Sequence, residues 1–303
     1  MLDAGVVRVA VLPGRGPRAL VQVAPPLQGV ALLNAVSTKG GCAASAVFRP
    51  RERQLAVLGQ WGAGCGEQDI AFAPLPVEEL TQRAVAGLWR EAGGELSGSV
   101  EEQPFDPLRT STTPASRSGQ SMRLWSVHRS PELVDWVHGM NKSSDNVAAR
   151  HLLLSLAPGF PQRPATPDAA LSRLRGWLAQ QGLADGDICL DNGSGLSRAE
   201  RARPRALVQL LRRAWSARWS EPFIDSLPVA GVDGTLAHRL TAPAVQGRAR
   251  LKTGTLLDVR ALAGFVQGRS GRWHALAAMA QHPQAALATP SLDALVQWVV
   301  AQG

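Results

Sequence analysis

Tyrosine is absent from this 303-residue chain, and lysine occurs only three times, as Lys39, Lys142 and Lys252. Nearly all of the positive charge behind the formal +8 is therefore arginine. The arginines are scattered (Arg203, Arg205, Arg212, Arg213 and Arg218, for example) rather than run together. That pattern reads as a solvated basic face and not as a nucleic-acid groove, which would also need aromatic residues set out on a sheet for stacking. Cysteine is as scarce: Cys42, Cys65 and Cys189. No Cys-x-x-Cys pair exists, which excludes a zinc ribbon and a thioredoxin motif. Cys42 and Cys65 flank a hairpin pattern, so a bridge between them is open in an oxidising compartment. Cys189, in the apolar run Asp187-Ile-Cys-Leu190, reads as an inert core thiol. No run approaches about 18 consecutive apolar residues, so no membrane span is expected. No His/Asp/Glu cluster suggests a metal site; no metal and no cofactor is expected, and His128, His151 and His238 read as packing or surface histidines. The first residues lack the basic start and small-residue cleavage site of a signal peptide. They already alternate like a strand, and the chain reads as beginning in the middle of a sheet.

What is present is ordinary globular filling: 45% hydrophobic residues and only 5% aromatic, with nine Trp. The length suits two domains. Residues 5 to 73 read as strands, with Val6, Val7, Val9 and Val11 around the first, 19–23 the next, and a hairpin from 46–48 and 55–58. Pro74 and Pro76 introduce a helix over 77–92. Its apolar positions are Leu80, Ala84, Val85, Leu88 and Trp89, and Gly93-Gly94 stops it. Residues 96–120, holding Pro and a Ser/Thr-rich run, read as a seam. Helices then dominate. One starts at Ser130-Pro131-Glu132 and ends near Gly139-Met140. A second begins at Ser143 or Ser144 and runs to Ala157. A third starts at Thr166-Pro167-Asp168, carries Leu171, Leu174 and Leu178, and stops at Gly182. A fourth spans 203–215. Two strands within 248–268 and a third over 272–279 follow, and a helix over 291–301 closes the chain.

Two short motifs carry chemistry. Lys252-Thr253-Gly254, followed by Thr255, lies on a strand: the lysine attracts an anion, the hydroxyl donates to it, and the glycine lets a flat ligand lie against the backbone. Ser144-Asp145-Asn146 stands at a helix start, where alone it reads as a cap. In this order, about a hundred residues apart, the two belong to the motif set of penicillin-binding proteins and class A β-lactamases. The run Met140-Asn-Lys-Ser-Ser-Asp-Asn-Val-Ala-Ala149 resembles the second motif of the class C low-molecular-mass penicillin-binding proteins, the D-alanyl-D-alanine carboxypeptidases/endopeptidases. Leu190-Asp-Asn-Gly-Ser-Gly-Leu-Ser197 and Leu227-Pro-Val-Ala-Gly-Val-Asp-Gly-Thr-Leu236 resemble two further signatures of that family. Lys252 to Thr255, with Leu262-Ala-Gly-Phe265, resembles a fourth. Residues 34–66 resemble part of the β-rich domain that the family inserts into its catalytic domain.

The resemblance implies an α+β fold. A β-lactamase/transpeptidase-like domain, an incomplete antiparallel sheet flanked by helices, is expected over 121–303. A remnant of the inserted β-rich domain with one helix precedes it over 1–95, with the seam at 96–120. The implied reaction is acyl transfer on peptidoglycan peptides ending in D-Ala-D-Ala. Ser144 and Asn146 would handle protons and hold the substrate amide. Lys252 would supply positive potential near the nucleophile and the terminal carboxylate. Thr253 and Thr255, beside Gly254, would bind that carboxylate, and the Thr255 N–H would be half of an oxyanion hole. β-Lactams would be ligands of the full-length parent and the periplasm its compartment; a basic surface suits an anionic polymer such as cell wall. The family also needs a Ser-x-x-Lys nucleophile motif. Three residues before the three lysines stand Val36, Gly139 and Ala249. The expectation is therefore a chain truncated by a mis-assigned start or a real loss, inactive as written, with apolar faces left open. The alternative is a non-catalytic relative that grips stem peptides.

Overall fold

Alternating valines build the first sheet of the computed structural model, which describes residues 6–101, 129–161 and 163–303. The seam beyond residue 101, and His128, lie outside the described residues. The chain divides into two compact units, Met1–Phe105 and Asp106–Gly303. In the first, β1 (Val7–Leu12) buries Val7, Val9 and Val11 on one face, as period-two alternation dictates. It pairs antiparallel with β2 (Leu20–Ala24). A second sheet holds β3 (Ala31–Ser37), β4 (Cys42–Arg49) and β5 (Gln54–Trp61), with β5 in the middle, antiparallel to β4 and parallel to β3. β6 (Gln68–Phe72) returns to the other edge of β1. Both sheets feed one core, made of Val7, Val9, Val11, Val36, Val57 and Trp61 with their neighbours. Asn34 breaks the apolar pattern of β3, and its amide ties the strand down: Nδ2 donates to the Ala19 carbonyl at 2.8 Å and Oδ1 accepts from the Val36 N–H at 3.1 Å. Cys42 and Cys65 form a disulfide.

The helix α1 (Val77–Glu91) turns a different side inward than its largest side chains suggest. Leu80 and Ala84 are buried, but Val85, Leu88 and Trp89 are exposed, and the buried stripe instead includes Ala86 and Gly87. A Cβ on Gly87 would fall 2.3 Å from the Pro26 carbonyl oxygen. Close approach of the Pro26–Gln28 loop selects the small-residue side, and Arg83 Nη1 fixes it by donating to the Gln28 carbonyl at 2.9 Å.

The second unit begins with α2 (Leu133–Ser143), α3 (Asn146–Leu154) and α4 (Pro167–Gln180). α2 starts two residues later than a Ser130 cap with Pro131 in first position suggests and runs past Gly139-Met140 to Ser143. α3 starts at Asn146 and ends at Leu154, not Ala157, burying Ala148 and Leu153. α4 is capped by Thr166, whose hydroxyl accepts from the Ala169 N–H, with Pro167 in the first turn. A two-residue ladder joins β7 (Ile188–Cys189) to β8 (Arg201–Ala202). So short a strand has one inward residue, Ile188, and leaves Cys189 exposed rather than in the core. α5 (Pro204–Trp215) follows, then α6 (Ser220–Ser226), seven residues that are too short to announce themselves by periodicity.

The meander β9 (Ala249–Leu256), β10 (Val259–Gln267) and β11 (Trp273–Gln281) is antiparallel, with β10 central. α7 (Thr289–Gln302) covers one face, where Leu262 and Val266 meet Leu292, Val296 and Val300. On the other face Phe265 meets Leu211 of α5 and Leu227 beyond α6. Gly264 lets β9 and β10 close up; a Cβ there would fall 2.1 Å from the Arg250 carbonyl oxygen. On the α5 face an open groove of about 1160 Å³ remains, lined by Trp177, Trp215, Trp219, Phe265 and Trp273 among others.

The Cys42–Cys65 bridge closes a loop over a sequence separation of 23 residues. A loop of that size stabilises by about 3 kcal/mol through the unfolded chain. The C42A/C65A variant is expected to lose stability of that order in urea unfolding and to become insensitive to added thiol reductant.

Candidate active site

A serine in the left-handed region ends α2. Ser144 has φ 60° and ψ 46°, a conformation that costs a residue with a Cβ about 1–2 kcal/mol. The next residue repairs the chain direction: the Asp145 carboxylate accepts from the Val147 and Ala148 N–H groups, both at 2.9 Å, and so starts α3. Within Ser144-Asp145-Asn146 the cap is the middle residue, not the serine. The two outer residues, each partly buried, flank a tight corner between two helices.

That corner meets the first strand of the meander. Lys252 Nζ donates to Ser144 Oγ at 2.8 Å and to the Thr253 carbonyl at 3.2 Å. Burial pushes the Lys252 ammonium below the ordinary lysine value of 10.5. Thr253 Oγ1 lies 3.1 Å from Thr235 Oγ1. A Cβ on Gly254 would meet nothing nearer than Ala261 Cβ, at 3.4 Å, so packing alone makes little demand for glycine there. Thr255, exposed, lies near the end of β9 opposite Arg260. The structure thus joins Ser144, Lys252 and Thr253 directly, with Asn146 one residue beyond the cap and Gly254 and Thr255 further along the same strand. Among the described residues no group of His, Cys, Asp and Glu side chains is placed to hold a metal ion.

Four other polar residues pack around this corner; three of them, Asn141, Lys142 and Asp233, lie in the quoted motif runs, but no role follows for them from the sequence. Lys142 Nζ donates to both carboxylate oxygens of Asp233 at 2.8 Å and to the Leu227 carbonyl at 2.7 Å. Asp233 also accepts from the Val229 N–H at 2.8 Å. Burial pushes its carboxyl up. The hydrogen bonds from Lys142 and the Val229 N–H, with the positive charges of Lys142 and His138, outweigh that and hold it below the usual 3.8. Asn141 Nδ2 donates to Ser226 Oγ at 2.8 Å, and that fully buried hydroxyl donates to the Phe223 carbonyl at 2.6 Å. The available signal was the scarcity of lysine: one of three lies beside the Ser-Asp-Asn run. Asp233-Gly234, which could have been an ordinary turn, opens a single 3-10 turn at Gly234–Leu236. The glycine-rich loop 191–197 is held from within and at its flanks. Glu200 Oε1 accepts from the Asp191 and Gly193 N–H groups, and Arg198 pairs with Asp258 at the β9–β10 turn.

A helix-flanked antiparallel sheet, with a Ser-x-Asn corner set against a Lys-Thr-Gly strand, is the arrangement of a transpeptidase-like fold. The structure of penicillin binding protein 4 (dacB) from Haemophilus influenzae matches with a TM-score of 0.66 at 23% identity, over 98% of this chain and 65% of that one. The same protein complexed with a novel β-lactam matches at 0.62, over 93% and 63%. The chain belongs to the D-Ala-D-Ala carboxypeptidase 3 (S13) family, whose model matches residues 1–302. It is 36% identical over 157 residues to a D-alanyl-D-alanine carboxypeptidase of Actinomadura sp. (strain R39), covering 50% of this chain and 29% of that protein. It is 32% identical over 204 residues to the D-alanyl-D-alanine carboxypeptidase DacB of H. influenzae, covering 67% and 40%. The chain thus spans well under half the length of these two relatives. Among the described residues no helix is long and apolar enough to cross a membrane.

With three lysines in the chain, ε-13C-lysine labelling resolves one signal for each. The Lys252 signal is expected to titrate below 10.5 and to move in S144A, which removes its hydroxyl partner. The unfolded chain keeps this proton to higher pH than the folded one. Lys252 therefore opposes folding while charged, and stability rises with pH between its lowered value and 10.5. K252M is expected to abolish that rise in denaturant titrations at stepped pH.

Proposed function

We propose that this chain carries the substrate-holding part of a serine-type D-Ala-D-Ala carboxypeptidase/endopeptidase that works on peptidoglycan stem peptides through an acyl-enzyme. The observation that carries this reading is the 2.8 Å contact between Lys252 Nζ and Ser144 Oγ, two motif residues 108 positions apart. In this reading Lys252 gives the cleft its positive potential and, poorly solvated, is a ready proton donor. Ser144 Oγ relays a proton between that ammonium and the departing amine of the terminal D-Ala as the amide C–N bond breaks. Asn146 holds the substrate amide. Thr253 and Thr255 donate to the terminal carboxylate lying over Gly254, and the Thr255 N–H serves the developing oxyanion. Residues 1–95 are part of the inserted β-rich domain. The Cys42–Cys65 bridge suits an oxidising compartment such as the periplasm.

The attacking hydroxyl of a Ser-x-x-Lys motif is not among these 303 residues, so this polypeptide alone binds without turning over. A chain that only grips stem peptides is the second reading, favoured by the same observation. The test is calorimetry with an N-acylated D-Ala-D-Ala peptide and with its C-terminal amide. The free carboxylate is expected to bind and the amide not. T253V/T255V should weaken binding about 10- to 100-fold, the scale of one charged hydrogen bond. Equal binding of acid and amide would sink the carboxylate assignment. Covalent, hydroxylamine-sensitive labelling of this polypeptide by a fluorescent penicillin would sink the claim that it lacks a nucleophile.

A further inference from the structure

We propose that Asp233-Gly234-Thr235 is a positioning clamp, three consecutive residues that hold the Ser144 corner and the Lys252 strand at working distance; this rests on the reading of Ser144 and Lys252 just given. Each residue of the three touches one side or the other. Asp233 takes both of its carboxylate contacts at 2.8 Å from Lys142, two residues before Ser144. Gly234, at φ +56°, runs so close to the last turn of α2 that a Cβ would fall 2.9 Å from the Lys142 carbonyl oxygen. Thr235 Oγ1 lies 3.1 Å from the hydroxyl of Thr253, the residue after Lys252.

The segment is itself rooted. Leu236 is buried in the core between the meander and α7, and its carbonyl accepts from the Gly231 N–H at 3.0 Å. The Lys142 side chain is only 15% exposed, and three acceptors surround its ammonium: Asp233 Oδ1, Asp233 Oδ2 and the Leu227 carbonyl. It is therefore spent on structure rather than offered to a ligand. Asp233, flanked also by His138, is tied in turn to the Val229 N–H.

Ser144 holds a left-handed backbone conformation that a Cβ disfavours. The Asp145 cap starts α3 on one side of it, and the bond from Lys252 reaches it through one long, flexible side chain. The ion pair on one side of the clamp and the threonine pair on the other fix the spacing, which a bond to a flexible lysine cannot do.

The three lysine signals test this without any ligand or nucleophile. In the full chain, D233N and T235V are each expected to shift the Lys252 signal and to raise its titration midpoint towards 10.5, because an opened corner admits water to the ammonium. T235S, which keeps the hydroxyl, should leave both where they were. D187N supplies the control for mere destabilisation: Asp187 is a buried carboxylate bound to Arg203 and the Ala184 N–H, outside the clamp. It should lower the thermal midpoint with the Lys252 signal unmoved. A Lys252 signal and midpoint unchanged in both D233N and T235V, while the Lys142 signal moves in D233N, would overturn the clamp. If D233N does not fold, T235V against T235S decides alone. Peptide calorimetry separates the two claims. A native chain that binds no D-Ala-D-Ala peptide, but whose Lys252 responds to T235V, keeps the clamp and loses the function; the reverse pattern does the opposite.

Discussion

An ammonium group drawn out of water must find acceptors, and on β9 only part of that demand is met locally. Lys252 reaches its neighbour's carbonyl at 3.2 Å and then crosses to Ser144 at 2.8 Å. A poorly solvated charge in a cleft is costly until something anionic or hydroxylic arrives. In the proposed reading, a carboxylate-terminated peptide relieves that cost. The site is thus defined less by any single motif than by an unsatisfied electrostatic demand placed where two motifs converge.

The scaffold makes that convergence rigid from two directions. β10 is buried on both faces, so β9, bonded along its length to β10, has little freedom. Register sets Lys252 opposite Ala263 and Arg250 opposite Phe265, which turns the lysine towards the α5–α6 side of the sheet. On that side Arg250 pairs with Asp225 of α6, and α2 joins α6 through the Asn141–Ser226 bond. Helix and strand are therefore each tied to α6 before they meet each other at Ser144 and Lys252.

Residue type and order made the two motif halves legible, because Ser-x-Asn and Lys-Thr-Gly have a meaning that survives without coordinates. The valine alternation of β1, the Thr166-Pro167 start of α4 and the three-strand meander were legible for the same reason: each is a local pattern with one dominant solution. The failures are all tertiary. α1 shows Leu88 and Trp89 to solvent because a loop carbonyl needs the space over Gly87. Cys189 is exposed because its strand has only one partner and two residues. β3 was hidden by Asn34, a polar residue whose reason for being there is a carbonyl in another strand. The Lys142–Asp233 pair spans 91 positions, and each partner alone has a duller explanation, a solvated lysine and a turn aspartate.

A wide hollow in the second unit lies elsewhere, beside α5. The groove beside α5 is lined by Trp215 and Trp219, 41% and 49% exposed, with Trp215 against Phe265 at 5.2 Å and Trp273 at 5.7 Å between ring centroids. It has volume and apolar area. Its charged lining is arginine alone (Arg205, Arg212 and Arg213), and no carboxylate or lysine among the lining residues offers a proton donor and acceptor at one point. Trp215 is exposed yet rests on Phe265 and Trp273 of the sheet, so apolar area there stays uncovered. Chemistry needs the opposite arrangement, in which little surface is left over and every polar group has one job. The narrow contact of Ser144, Lys252 and Thr253 has that character, and the wide aromatic groove does not.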